Sequence, residues 1–476
     1  MMNNRIFTVQ DQLAFAKLSG DYNPLHIDNV LARRLMFGSV VVHGVFTLLW
    51  ALDSWLQDKI EYIKLDEVKG TFLNPIRINE KVSYLINKEI DGSVEIVLLV
   101  GDIIATSIAI KWSTTTKHGS DTVSNRIPKR SKCLPLLANN IGKVSGELPL
   151  YFNSGVASVV FTKKIVTLIP LLQIAQLLAT TRLVGMNCPG LHSIFSKLDL
   201  TFEENTFRKH ILTYEVTKVH KQYNKVIQKI SSQNMNGLVT AFIRPPPQQQ
   251  IYFNKLDEKI NRTEFLSQRA LVIGGSRGLG EVTAKILSFG GADVKITYHK
   301  GVEDAYKVVD EITSGGGIAD CFYLNVLEDN VDFLSILDKK WAPTHLYYYA
   351  TPFIESRKNK LFSTQLFQKF CDFYVVGFHR IVEQLSQIGL RGILYPSTVF
   401  IENIPYNMGE YVIAKVAGEQ LCSYLEKTKK GIIFHKPRLP KVSTDQTSSF
   451  APTINEDPAL IMLNHLRNLR DSSKLE

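Results

Sequence analysis

The chain has 476 residues, 45% hydrophobic and 21% charged, enough apolar material for roughly two to four folded domains of an ordinary globular protein. Its formal net charge of +10 suits an anionic ligand, but no dense Lys/Arg block with interleaved aromatics occurs, which argues against a nucleic-acid partner. Five cysteines (Cys133, Cys188, Cys321, Cys371, Cys422) lie scattered without CxxC or Cys/His pairing, so neither a disulfide framework nor a metal site is expected; with no apolar leader in "MMNNRIFTVQ" and no uninterrupted apolar run long enough for a membrane span, the expected location is cytoplasmic.

Residues 1–112 open with a short strand and a helix, continue into the apolar run "GSVVVHGVFTLLWALDSWL", and close in the strand-like alternation of "KVSYLINKEI" and "SVEIVLLVGDIIATSIAIKW". One long helix wrapped by a sheet is the natural reading. Ahead of that helix, "SGDYNPLHID" sets Asp21 and His26 around an Asn-Pro turn. A lone Asp and His in such a place are by default a solvated turn or cap. Residues 113–146 are polar and basic ("STTTKHGSDTVSNRIPKRSK") and read as a linker. Residues 147–244 repeat the order of the first part, an apolar helical run followed by strands such as "HSIFSKLDLTF" and "HILTYEVTKVH", and "RPPPQQQ" opens a second linker over 245–266. From about Arg269 to about residue 445, within an expected domain over 267–476, strands alternate with helices in βαβ style.

In that last part "RALVIGGSRGLGEVTAKIL" reads as a strand, a glycine turn and a helix start, with Gly274, Gly278 and Gly280 spaced so that backbone can approach a pyrophosphate. Glycine turns also close strands for structural reasons alone. The next strand, "ADVKITYHKG", ends in Tyr298, His299 and Lys300 where an acid for ribose hydroxyls usually stands. With Arg277 nearby, these cations favour a 2′-phosphate, hence NADP(H), unless they are simply a solvated strand end. Downstream lie Ser397, Tyr411 and Lys415. On a helix Tyr411 and Lys415 share a face, where an ammonium can lower a phenol's pKa and make it a usable general acid. "YEVTK" (Tyr214, Lys218) and "YLINK" (Tyr84, Lys88) match the spacing but sit in strand-like text, so they are read as structural.

These residues resemble the short-chain dehydrogenase/reductase family over roughly residues 267–445, with Ile273 where a threonine is usual. The resemblance implies cofactor contacts from Gly274, Ser276, Arg277, Gly278, Leu279, Gly280, His299, Asn325, Val326, Ala350, Tyr411 and Lys415. It gives Ser397 the task of orienting a substrate carbonyl, Tyr411 the proton, and Lys415 the ribose. Three departures stand out: "YYYATP" for the family's Asn-Ala-Gly, Tyr374 in "FYVVGFH" for the helix asparagine, and "KPRLP" for the Pro-Gly after the sixth strand.

At the other end, "SGDYNPLHID", then "ARRLMFGSVVVHGVF" and "GTFLNPIRINEKVSY", closely resemble MaoC-like (R)-specific enoyl-thioester hydratases and dehydratases of the hot-dog fold, over about 105 residues. That resemblance makes Asp21 and His26 a catalytic dyad for water and places Gly44 at a helix start able to bind the thioester oxygen; a small residue for helix–sheet packing is a compatible role. Residues 147–244 look like a second hot-dog half without the dyad, so His192 in "PGLHS" is read as structural. The expected fold class is therefore an α+β double hot dog followed by an α/β Rossmann doubly wound parallel sheet. The expected chemistry is NADPH-dependent 3-oxoacyl-thioester reduction coupled to hydration or dehydration of acyl thioesters of coenzyme A or acyl carrier protein, in a homo-oligomer. Two alternatives stand beside it: an active hydratase with a redirected or silent reductase, and a non-catalytic thioester-binding scaffold.

Overall fold

The computed structural model describes residues 4–115, 123–137, 139–203, 209–329, 332–337, 341–354, 362–448 and 455–473. Two compact units divide the chain between Pro246 and Pro247.

In the first unit ten strands form one sheet: β1 (Asn4–Ile6), β2 (Tyr62–Phe72), β3 (Lys81–Ile90), β4 (Ser93–Val100), β5 (Ile103–Thr115), β6 (Ser145–Pro149), β7 (Ser193–Thr201), β8 (Ile211–His220), β9 (Lys225–Ser232) and β10 (Met235–Ile243). Their spatial order is β1-β3-β4-β5-β2-β7-β10-β9-β8-β6. Antiparallel pairing of β2 with β7, from Glu67 opposite Thr201 to Thr71 opposite Lys197, joins the two sequence halves into a continuous sheet. Each half supplies one long buried helix. Gly44–Trp55 is apolar on nearly every side, the pattern of a helix enclosed by protein rather than lying on a surface. In Leu171–Arg182 only Leu171 is not buried.

The glutamines that interrupt the second apolar run have a specific task. A register shift between Leu65 and Glu67 breaks the β2–β5 ladder, and Gln173 repairs it: its Oε1 accepts from Leu65 N (3.0 Å) and its Nε2 donates to Leu65 O (2.8 Å). Buried backbone groups need such partners.

Neither expected linker is a free tether. Strand β5 runs on to Thr115 and β6 begins at Ser145. Between them Leu134 N donates to Met186 O and its carbonyl accepts from Leu191 N, both at 2.8 Å; residues 116–122 lie outside the described residues. From Pro247 on, the second segment packs into the second unit, where Phe253, Leu256, Ile260 and Phe265 are buried in its core. Polar composition marked both stretches as loops, but a few large apolar side chains suffice to pin an irregular segment down.

The second unit holds β11 (Arg269–Ile273), β12 (Asp293–Tyr298), β13 (Ile318–Tyr323), β14 (His345–Tyr348), β15 (Gly392–Leu394), β16 (Ser397–Thr398), β17 (Ile433–His435) and β18 (Arg438–Leu439). Six of them form a parallel sheet in the order β13-β12-β11-β14-β15-β17. Two separate hydrophobic clusters pack helices against this sheet, one built around Gly278–Phe289, Val302–Ser314 and Pro458–Ser472, the other around Thr364–Cys371, Phe378–Leu385 and Gly409–Thr428. The strand order reverses between β11 and β14, and in such sheets ligands bind beyond the carboxyl ends of the strands at that point. Among the described residues no helix is long and apolar enough to cross a membrane.

Candidate active sites

In the first unit the helix Val9–Ser19 ends on Gly20, whose φ of +79° turns the chain out of the helix. Asp21 follows, 1% exposed. Its Oδ1 accepts from Asn23 N (3.1 Å) and its Oδ2 from the Thr181 hydroxyl (2.7 Å). Burial nevertheless dominates and raises the carboxyl to about 6. His26 sits in the short helix Pro24–Ile27, its Nδ1 2.8 Å from Val41 O. Part of its surface is open, yet the ring is enclosed enough that desolvation, reinforced by Arg244, lowers it to about 4. With Nδ1 carrying the proton to Val41, Nε2 is left as a base.

His43, fully buried, stacks on His26 with ring centroids 3.9 Å apart and 26° between planes. Its Nδ1 meets Gln12 Oε1 (2.7 Å), its Nε2 the Asp21 carbonyl (3.1 Å), and Nε2 lies 3.8 Å from Asp21 Oδ2. Desolvation first, then His26, keeps it neutral. A carboxylate and two imidazoles whose ligand-type atoms all lie within 4.8 Å are also a metal-binding donor set; here, however, the two rings lie face to face rather than edge-on to a common point. Gly44 begins the helix Gly44–Trp55 directly after His43, and no side chain caps that N-terminus. First-turn N–H groups without intrahelical partners remain there for a negative oxygen. A Cβ on Gly44 would lie 2.9 Å from the Phe72 ring, so packing demands the glycine as well.

Sequence reasoning missed the part played by the second half. Besides the Thr181 hydroxyl, Met186 Sδ accepts from Tyr22 N (3.1 Å), and Asn23 Nδ2 donates to Gly185 O (2.9 Å) and Gly190 O (3.2 Å). A Cβ on Gly185 would sit 2.1 Å from Asp21 Oδ1. These residues stand some 160 positions from Asp21 and carry no motif of their own. Asn23 did have a signal, the Asn of the Asn-Pro turn. His192 forms no hydrogen bond to Asp21 or His26 among the described residues.

In the second unit the expected nucleotide-binding residues gather at the carboxyl ends of the strands. Gly274 has φ +78° and its N–H donates to Thr297 Oγ1 (3.0 Å). A Cβ on Gly280 would meet Gly274 O at 2.3 Å, whereas one on Gly278 would find nothing nearer than Thr444 at 3.8 Å. The turn is therefore tight on its inner side and open on its outer side. The helix Gly278–Phe289 starts with no side-chain cap, leaving its N–H groups to an anion. Ala350 N lies 3.1 Å from where a Gly274 Cβ would stand, placing the end of β14 against the turn. Ser276 is buried and Leu279 packs on the core. His299 is exposed beside the Tyr323 ring, while Arg277 reaches Asp445 at 3.4 Å. Asn325 Nδ2 donates to Glu328 Oε1 (3.2 Å). Val326 puts its side chain in the core and its carbonyl on Arg380, which leaves only its N–H for a ligand.

Tyr411 and Lys415 lie on the helix Gly409–Thr428, whereas Tyr84 with Lys88 and Tyr214 with Lys218 lie on β3 and β8. The hydroxyl partner of Tyr411 is Thr398; Ser397, expected to orient a substrate carbonyl, has its Oγ buried without a close hydrogen bond, on the Glu419 side. Successive residues of a strand point to opposite faces, so only one of the pair can reach Tyr411. One expectation is corrected: Lys415 does not lower the tyrosine. Its Nζ donates to Pro396 O (2.7 Å) and lies 3.9 Å and 4.9 Å from the ring centroids of Tyr374 and Tyr395. Desolvation raises Tyr411 to about 12 and lowers Lys415 to about 7. Tyr374, at the expected relay position, bonds through its hydroxyl to Thr351 Oγ1 (2.5 Å).

Residues 2–100 match the family described as MaoC like domain, a span that holds Asp21, His26 and Gly44. The peroxisomal hydratase-dehydrogenase-epimerase of Saccharomyces cerevisiae is 38% identical over 71 residues, 15% of this chain and 8% of that protein. The uncharacterized oxidoreductase YgfF of Escherichia coli is 38% identical over 61 residues, 13% of this chain and 25% of that protein. The chain thus spans well under two thirds of the curated relatives it matches. A 3-oxoacyl (acyl-carrier-protein) reductase from Agrobacterium tumefaciens, solved with NADP bound, shares 16% identity at a TM-score of 0.36, over 39% of this chain and 74% of that one.

Proposed function

We propose that the chain is a two-site acyl-thioester enzyme: an enoyl-thioester hydratase, or (R)-3-hydroxyacyl-thioester dehydratase, in a double hot dog with one active half, joined to an NADPH-dependent 3-oxoacyl-thioester reductase. The observation that carries it is buried Asp21 and half-buried His26 beside an uncapped helix N-terminus, inside a MaoC-like domain. Reduction of a 3-oxoacyl thioester yields a 3-hydroxyacyl thioester, which a hydratase or dehydratase interconverts with the 2-enoyl form. The two chemistries share that intermediate.

At the first site a water between Asp21 and His26 gives its oxygen to C3 of the enoyl group while His26 Nε2 takes its proton; the proton then reaches C2, and dehydration is the reverse. Charge that develops on the thioester oxygen meets the first-turn N–H groups at Gly44. The neutral imidazole suits the accepting role, and Asp21 is ionised above about pH 6.

At the second site the open turn at Gly278 and the uncapped helix behind it fit a dinucleotide pyrophosphate. Lys300, with Arg277 shared with Asp445, supplies positive charge for a 2′-phosphate, and His299, which burial and Lys300 keep neutral, offers a ring N–H beside them. When bound, the reduced nicotinamide supplies a hydride. Tyr411, neutral at physiological pH, gives its proton to the substrate carbonyl oxygen, with Thr398 orienting its hydroxyl. Lys415, held by Pro396 O and the two tyrosine faces, is placed to bind ribose. The aromatic enclosure at Tyr374 favours one second reading, in which the reductase accepts a different carbonyl compound.

The test offers purified protein a short 3-oxoacyl-CoA with NADPH or NADH and, separately, an enoyl-CoA in water, following absorbance. Both reactions are expected, with NADPH preferred. Unchanged NADPH oxidation in Tyr411→Phe would overturn the reductase assignment. Full hydration by an Asp21→Asn, His26→Ala double variant would overturn the dyad.

A further inference from the structure

The segment between β5 and β6 carries Arg126, Lys129, Arg130 and Lys132 within seven residues, all exposed. Among the described residues none of the four forms an ion pair with a carboxylate. Like charges this dense repel one another, and an anion laid along them relieves that repulsion. The strip is fixed beside the Asp21 loop rather than swinging free. Pro128 is buried, and its Cβ stands 2.7 Å from where a Gly20 Cβ would be. The Arg130 guanidinium lies 5.3 Å from the centroid of Tyr22, the residue after Asp21. Farther along, Leu134 exchanges backbone hydrogen bonds with Met186 and Leu191, close to the residues that hold Asn23 and Tyr22.

We propose that residues 126–132 form a phosphate-binding strap that holds the nucleotide head of a coenzyme A thioester while its acyl end reaches Asp21 and His26. The proposal rests on the hydratase reading and names the carrier that reading leaves open. The nucleotide head has a pyrophosphate and a 3′-phosphate spread along its length, which suits a linear row of guanidinium and ammonium groups better than one compact pocket would. Ile127, 40% exposed between the cations, offers apolar surface to the adenine. An acidic carrier protein would need a broad contact face, on the order of 800 Å² per partner, which a seven-residue strip by itself does not provide.

The experiment compares full-length wild type with an Arg126→Gln, Lys129→Gln, Lys132→Gln variant; Arg130 is kept because it packs on Tyr22. Two substrates carry the same short enoyl group, one on coenzyme A and one on N-acetylcysteamine, which has no phosphate. The expected result is a rise of about tenfold in KM for the coenzyme A thioester, about 1.4 kcal/mol, with a flatter dependence on ionic strength. The kcat, and the kcat/KM for the N-acetylcysteamine thioester, stay unchanged. Equal KM for the coenzyme A thioester in both proteins overturns the strap, as does an equal loss on both thioesters. A loss confined to a carrier-protein thioester overturns the choice of carrier. Calorimetry with adenosine 3′,5′-bisphosphate, in the presence of saturating NADP+, separates the two readings. If wild type hydrates neither thioester, the hydratase function falls; binding that the triple variant has lost still supports the strap, and equal binding or none overturns it.

Discussion

Thr181→Val tests whether the dyad-less half is part of the catalytic machinery. The substitution keeps the branched shape and removes the hydroxyl that donates to Asp21 Oδ2 at 2.7 Å. Thr181 is 3% and Asp21 1% exposed, so water does not readily replace the bond. A hydrogen bond to a charged acceptor contributes about 1.5–3 kcal/mol, and 1.36 kcal/mol corresponds to one pKa unit, so the Asp21 carboxyl should rise by about 1 to 2 units. It already stands at about 6, because burial outweighs the help it receives from Thr181, Asn23 and Arg182. At pH 7 the ionised fraction would fall from about nine tenths to between about one half and one tenth. Hydration at pH 7 should therefore drop roughly two- to tenfold and recover near pH 9, while KM changes little. Thr181→Ser should restore the wild-type profile. The assay is the pH dependence of enoyl-CoA hydration from pH 5 to 9.5. A loss of the same size at every pH, with the acid limb unmoved, would show that Thr181 only fills space. His43, Arg182 and Cys133 also act on this carboxylate electrostatically or through contact, so the Thr181 effect is read as a difference between variants in a constant background.

Gly185→Ala, whose Cβ would fall 2.1 Å from Asp21 Oδ1, should abolish hydration and destabilise the fold by about 1–3 kcal/mol while leaving carbonyl reduction intact; paired activity assays with thermal unfolding check this. His26, lowered to about 4 by burial, contributes stability that is complete above its ordinary value near 6.5 and is lost as pH falls through about 4. Tm should accordingly decline on acidification across that window, less steeply in His26→Asn; an unchanged slope would remove His26 as the cause. Thr398→Ala should slow reduction more than Ser397→Ala, because Thr398 is the hydroxyl that meets Tyr411; the reverse order would refute a role for Thr398 at the tyrosine. Tyr411→Phe should cost reduction about 10²–10⁴-fold with hydration unaffected, measured on the same preparation.

Local spacing made much of this protein legible. The glycine turn at Gly274–Gly280, the helical Tyr411–Lys415 pair and the Asp21–His26 loop each lie within one short stretch, where backbone geometry alone sets which groups can meet. The repeated order of elements in residues 147–244 was visible for the same reason, since hydrophobic periodicity is a local property. Polar composition misled at the linkers: it reports what a segment dissolves in on average and says nothing of the four large apolar residues between 253 and 265 that anchor one of them.

By itself, then, the sequence determined the two kinds of unit, the close spacing of Asp21 and His26, the glycine turn and the tyrosine–lysine helix. Only the tertiary structure decided that Thr181 and Gly185 surround Asp21, that His43 stacks on His26, that Thr398 rather than Ser397 meets Tyr411, and that Lys415 turns to Pro396 O and two aromatic faces. Those contacts join residues as many as 164 positions apart, Asp21 and Gly185, or depend on which face of a strand a side chain takes. Chain closure and burial set both, and neither leaves a trace in the order of neighbouring residues.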